Sequence, residues 1–276
     1  MDEAGVRAVL FDLHDTLVPS GHPAEHAAVA RGMGADLGVD PDAFAAAVAD
    51  TFDDRVRGLM ADVHHTVRYL ARRVGGSPTE SQVESAITRR LNYSLSLHAA
   101  TWALPALKAL RKRGFKLGLV ADCGAATVAI WPQSPLADHL DAVSFSCQTG
   151  VRKPDSGAYL VAAAALEVRT GECVYVGDGA DHELSGAEAV GMRAVRFRSR
   201  ALKELDEAVY RARDAVYRAC RDDVASDLDP DWRGPTISDL VDLVGMIGIP
   251  IPREGSESRT FVSGNVVPWG SKRPSR

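Results

Sequence analysis

The feature that most limits what this chain can become is a series of short apolar runs, each closed by a polar cluster. Residues 6–13 (VRAVLFDL) carry an apolar run into Asp12, and 115–120 (FKLGLV), 142–145, 173–176 (CVYV) and 193–198 (RAVRFR) repeat the theme. Runs of this length, rich in Val, Leu and Phe and bounded by turn formers, predict buried strands. Helical patterns over 105–113, 155–166 and 183–190 separate the later ones, and Gly114 stops the first of these helices. Strands alternating with helices predict an α/β fold with a parallel sheet and right-handed crossovers.

The stretch 23–97, between the first two strands, breaks this rhythm. It is Ala-rich, with breaks at Gly34, at 38–41 (GVDP) and at 75–78 (GGSP). It predicts three or four helices and no strand. One crossover needs a single helix, so the surplus predicts an inserted helical unit. The expected organisation is a discontinuous core domain, 1–18 with 100–250, a helical domain over 19–99, and a flexible tail over 251–276. The tail is rich in Gly, Ser, Pro and charge. An amphipathic helix is expected over 202–224, long enough to serve a subunit interface, and a last helix over 237–246.

With 46% hydrophobic residues in 276, the chain can bury a sizeable core. The net charge of −5 argues against a basic face for nucleic acid. Cys123, Cys147, Cys173 and Cys220 include no C-x-x-C pair, which disfavours a zinc knuckle and fits reduced thiols. The start lacks the layout of a signal peptide, and no apolar run reaches ~18 residues. A cytoplasmic protein without a membrane span is expected.

In a parallel α/β sheet, reactive groups gather beyond the carboxyl ends of the strands. Four polar clusters fall there: 12–16 (DLHDT), 121–124 (ADCG), 152–154 (RKP) and 177–183 (GDGADHE). Together they suit phosphoryl transfer. A carboxylate can attack phosphorus and form an acyl phosphate. Two anions then meet, and a Mg²⁺ held by oxygen ligands offsets their repulsion. Asp12 and Asp178 offer such oxygens, and Lys153 adds a fixed positive charge against the phosphate. Backbone amides after Asp122 add donors. Taken singly, Asp12 reads equally as a turn former, Lys153 as a loop lysine, and Asp178 as part of a Gly-Asp-Gly turn.

As a set, the clusters resemble the haloacid dehalogenase-like (HAD) superfamily, from about residue 6 to 197 with a closing segment at 232–243. FDLHDTL resembles the first motif, D-x-D-x-T-L, and GLVADCG the second, a strand ending in Ser or Thr. GVRKPD resembles the third, with its Lys. VGDGADHELSGAEAVGM resembles the fourth, an acidic G-D-x-x-x-x-[DE]. The resemblance implies a Rossmann-like parallel sheet core with an inserted α-helical cap. It implies Asp12 as nucleophile and metal ligand, and His14 at the general acid/base position with its carbonyl on the metal. Lys153 would be the phosphate-binding lysine, Ala121 and Asp122 would border the phosphate, and Asp178 and Glu183 would be acidic metal ligands. The implied activity is Mg²⁺-dependent hydrolysis of a small phosphorylated substrate through an aspartyl phosphate.

Two positions depart from the family pattern. His14 stands where phosphatases of the family carry Asp; imidazole shuttles protons near neutral pH but is larger, and its cation would oppose Mg²⁺. Asp15 follows one residue late and reads as a loop cap. Ala121 lacks the expected hydroxyl, a loss of about 1.5–3 kcal/mol for a charge-assisted hydrogen bond. These departures keep two alternatives open: a catalytically degenerate binding protein, and a metal-free haloacid dehalogenase, against which Asp178 and Glu183 weigh.

Elsewhere, the adjacent His64 and His65 point apart on a helix and do not form a metal pair. Ser20 and His22 read as a helix-start loop, Trp131-Pro132 as packing, and the charges of 211–223 as a solvated face.

Overall fold

The computed structural model describes residues 5–199 and 232–247. The expected 202–224 helix with its interface, and the 251–276 tail, lie outside the described residues. Strands β1 (Ala8–Phe11), β2 (Lys116–Ala121), β3 (Ala142–Phe145), β4 (Cys173–Gly177), β5 (Arg193–Phe197) and β6 (Thr236–Ile237) form one sheet in the order β3-β2-β1-β4-β5-β6. Every neighbouring pair is parallel. Helices α1 (Pro23–Leu37), α2 (Pro41–Asp50), α3 (Phe52–Val56), α4 (Val63–Arg73) and α5 (Glu80–Ala99) lie between β1 and β2. They are followed by α6 (Leu104–Lys112), α7 (Ala125–Ile130), α8 (Ser146–Thr149), α9 (Ser156–Ala165), α10 (Glu183–Ala189) and α11 (Asp242–Met246). Among the described residues no helix is long and apolar enough to cross a membrane.

The five apolar runs became β1 to β5 because both faces of the sheet are covered. Alternate strand residues point to opposite layers. Val9, Phe11, Val174 and Val176 join a cluster with Leu107 and Leu110 of α6 and Leu243 of α11. Ala8, Leu10, Cys173 and Tyr175 join a second cluster with Tyr159 of α9 and Leu184 of α10. The inserted helices bury a third cluster, with Phe44, Leu70, Val83 and Ile87 at its centre.

Three expectations are corrected. Residues 237–246 are not one helix: Ile237 pairs with Phe197, its carbonyl accepts Arg198 N–H at 2.9 Å, and helix begins only at Asp242. The open edge of β5 satisfies that backbone, which local helical pattern could not foresee. Gly34 does not break α1. A Cβ there would meet Pro41 Cα at 2.9 Å and Phe44 Cβ at 3.0 Å, so its missing side chain lets α2 close on α1. The helix ends instead at Gly38, at φ +72. The insertion holds five helices rather than three or four, because 52–56 forms a short helix of its own.

The strand order places the site. From β1 the chain steps one way to β2 and β3, then returns to build β4, β5 and β6 on the other side. The carboxyl ends of β1 and β4 flank this reversal, where a crevice opens in sheets of this kind.

Candidate active site

Asp12 follows β1, and its N–H donates to Val176 O of β4 at 2.9 Å. Asp178 follows Gly177, the last residue of β4. Glu183 starts α10 and turns back to the strand end, where its Oε1 accepts Gly179 N–H at 2.9 Å. Gly177 is required for this fold-back, since a Cβ there would collide with the Glu183 carboxylate. The carboxylates of Asp12, Asp178 and Glu183 thus gather with oxygens all within 4.8 Å of one another, and all three residues are buried. The imidazole of His14, half-buried in the same loop, is not part of that cluster.

Lys153, three residues before the start of α9, enters from β3's side of the sheet. Its Nζ is bonded to Asp12 Oδ1, donates to Glu183 Oε2 at 2.6 Å, and lies 3.3 Å from Tyr175 Oη. Tyr175 Oη in turn donates to Glu183 Oε2 at 2.7 Å. Burial raises the Asp12 pKa to about 6 and that of Glu183 to about 8; the Lys153 charge lowers both, and Asp178 adds repulsion. Burial opposes the charged form of Lys153, but Asp12 and Glu183 outweigh it and hold the ammonium well above its usual pKa. One ammonium facing three buried carboxylates leaves room for further positive charge. All-oxygen donors in a tight buried set fit a hard divalent cation such as Mg²⁺.

The remaining expected residues take different places. Ala121 ends β2, buried and opposite Phe145, and brings no hydrogen-bonding side chain. Asp122 does not cap α7, whose N-cap is Gly124 without a side-chain bond. Its Oδ1 accepts Lys153 N–H at 3.1 Å and so anchors the lysine loop to the β2 end. Asp15 caps its own loop, accepting Ser20 N–H at 2.8 Å and Ser20 Oγ–H at 3.0 Å. His22 starts α1, with Nδ1 accepting Ala24 N–H at 3.0 Å. His64 pairs with Glu84 at 2.9 Å rather than with His65.

Two neighbours escaped the sequence reading, and a third, Arg152, stood in the third polar cluster without a role. Tyr175 sits inside an apolar strand; its one signal is that a buried tyrosine hydroxyl needs a partner. Tyr159 of α9 donates to the Glu183 carbonyl at 2.7 Å, an arrangement that tertiary packing alone creates. Arg152 reaches Asp53 of α3 at 2.8 Å and Asp181 at 2.5 Å, and lies 3.7 Å from Asp122. It ties the inserted helices to the loops after β2 and β4. Asp181 and His182 both adopt left-handed backbone, φ 51 and 57, a cost of roughly 1–3 kcal/mol each that the Arg152 contact helps to hold.

The description of the haloacid dehalogenase-like hydrolases matches residues 6–191. A glyceraldehyde 3-phosphate phosphatase from Methanopyrus kandleri is 31% identical over 207 residues, 73% of this chain and 88% of the relative. A ribulose-1,5-bisphosphate 5-phosphatase from Halopiger xanaduensis is 27% identical over 258 residues, 86% of this chain and 98% of the relative. The crystal structure of a HAD phosphatase from Thermococcus onnurineus superposes with a TM-score of 0.55 at 21% identity, over 89% of this chain and all of that one. By motif order, sheet topology and this match across two thirds of its length, the chain belongs to the haloacid dehalogenase-like hydrolase family.

Proposed function

We propose that this hydrolase is a phosphatase of small organic phosphates, with Asp12 as nucleophile. The observation that carries the reading is the buried set of Asp12, Asp178 and Glu183 carboxylates at the topological switch point, with Lys153 among them. A metal-free dehalogenase has no use for that acidic set. The phosphatase relatives support the same class, and the substrates they act on direct first assays to short-chain sugar phosphates.

Asp12 attacks phosphorus, the P–O bond to the alcohol breaks, and an aspartyl phosphate forms. His14, in the acid/base position of the loop, gives a proton to the leaving oxygen and then takes one from the water that cleaves the intermediate. Lys153 shifts part of its charge from the carboxylates to the incoming phosphate oxygens. Asp122 keeps the lysine loop in register through the Lys153 N–H. Asp12, Asp178 and Glu183 are the residues that would hold Mg²⁺, which supplies charge neutralisation between carboxylates and phosphate. The helices over 19–99 act as a cap that excludes water and selects substrate, with Asp53–Arg152 as one point of contact.

A phosphate-ester panel with and without Mg²⁺ tests this. Mg²⁺-dependent phosphate release, lost in Asp12→Asn, is the expected result. Halide release from a 2-haloacid without metal would replace the reading with dehalogenation. Silence toward every ester, cured by His14→Asp with Ala121→Ser, would make the natural protein a binding module.

A further inference from the structure

Beyond the phosphoryl site, two thiols meet at the edge of the second motif. β2 and β3 run parallel with Ala121 opposite Phe145, so Cys123 and Cys147, each two residues further on, leave the sheet side by side. Ser146 clasps them: its Oγ accepts Cys123 N–H at 3.0 Å and donates to Cys123 O at 3.4 Å. The Cys123 thiol hydrogen-bonds the Cys147 sulfur. Their exposure differs, Cys123 being buried and Cys147 half-buried. The bond from Cys123 draws the Cys147 thiol below its usual pKa, while burial pushes that of Cys123 up. One thiol is reachable and activated; the other is sheltered and in contact with it. Cys173 differs: its buried thiol donates to Arg169 O at 3.3 Å, and burial pushes its pKa up to about 12.

We propose that Cys123 and Cys147 are an oxidation site, closing to a reversible disulfide that switches the phosphoryl site off. The oxidant class is a peroxide. The Cys147 thiolate attacks one peroxide oxygen, the O–O bond breaks, and a sulfenic acid forms as the other oxygen leaves as water. Cys123 then attacks the sulfenic sulfur, the S–O bond breaks, and that oxygen leaves as a second water with the Cys123 proton. The two thiols give up two electrons, and the peroxide takes them. A dithiol reductant reverses the change.

The consequence follows from position. Closing the sulfur contact to a bond of about 2.05 Å draws the Cys123 segment and α8 together. Asp122, the preceding residue, holds the Lys153 N–H, so the shift passes to the lysine loop. On the far side, the Cys147 carbonyl lies against Gly58, just past α3, which offers a second route into the inserted helices. Misplacing a catalytic group by ~1 Å can cost about 10²-fold in rate.

The test treats the full-length protein with hydrogen peroxide, quenches with catalase, and maps peptides without reduction. The expected result is a linked peptide pair holding Cys123 and Cys147, lighter by two hydrogen atoms. Turnover of the best phosphate ester falls at least about tenfold and returns with dithiothreitol. Cys147→Ser keeps the turnover of untreated wild type and no longer responds to peroxide. Cys123→Ala leaves a sulfenic acid on Cys147 that dimedone traps, with no linked pair. Oxidation of both residues without a linked pair overturns the proposal. So does a linked pair with unchanged turnover, or equal peroxide inactivation of Cys147→Ser. The linkage is read by mass, so absence of phosphatase activity would defeat the function proposed above and leave this cross-link decidable.

Discussion

Lys153 Nζ lies 2.6 Å from Glu183 Oε2 while it is also bonded to Asp12, so a single ammonium serves two buried carboxylates, one just past β1 and one at the start of α10. Asp178 crowds the same pair. Folding alone therefore leaves a surplus of buried negative charge, which protons or a cation must balance.

Removing that ammonium should expose the imbalance. In Lys153→Met, phosphate release should fall by about 10²–10³-fold. Leaving a buried charge unpaired costs about 3–5 kcal/mol, so thermal stability in chelator at pH 8 should drop by roughly 6–20 °C. Added Mg²⁺, or a pH near 6 where the carboxyls take up protons, should restore much of it. Calorimetry that finds equal melting of both proteins in chelator would sink this account.

The raised acid pKa values set a pH trend. Glu183 at about 8, against an ordinary 4.5, means the folded state holds a proton that the unfolded chain has released. Stability from this group is present below pH 4.5 and is lost as pH rises through 8. In chelator, melting temperature should decline between pH 6.5 and 8. Mg²⁺ displaces the protons, so its stabilisation should grow over the same interval. Titration calorimetry in two buffers of different ionisation enthalpy would report that proton release.

Tyr175 holds Glu183 at 2.7 Å without entering the carboxylate set. Tyr175→Phe keeps the ring against Tyr159 but removes one of the two hydrogen bonds that Glu183 Oε2 accepts, the other coming from Lys153, a cost of about 1.5–3 kcal/mol for a bond to a charged group. The Mg²⁺ concentration for half-maximal activity should rise about 10–100-fold, while the saturated rate changes less. An unchanged Mg²⁺ curve would assign the hydroxyl to packing alone.

His98 governs the acid side. It is 2% exposed, its Nδ1 lies 2.8 Å from Ser134 Oγ, and burial lowers its pKa to about 4. The unfolded chain, at about 6.5, binds the proton first. Stability from this residue is full above 6.5 and is lost as pH falls toward 4. His98→Gln should flatten melting temperature against pH over that range; a curve parallel to wild type would refute the assignment.

Much of the site could be read in one dimension because its parts hang on strand ends. Asp12 and Asp178 each close an apolar run, and a parallel sheet brings such ends to one edge whatever lies between. Asp122 and Asp15 were harder: a carboxylate near a loop has several backbone donors to choose from, and only the folded path shows that one takes Lys153 N–H and the other Ser20. The strand at Thr236–Ile237 and the helical Gly34 were misjudged for a related reason, since an open sheet edge and a close helix contact override local pattern.

The order of apolar runs, the four polar clusters and the surplus of helix between the first two strands are properties of the chain alone, because hydrophobic period and turn chemistry act over a few residues. Which strand neighbours which, how near the three carboxylates come, that one lysine and two tyrosines close around them, and that a pair of cysteines meets past the ends of β2 and β3, were decided by packing. Those contacts join residues up to 141 positions apart, and short-range preference carries no information over that span.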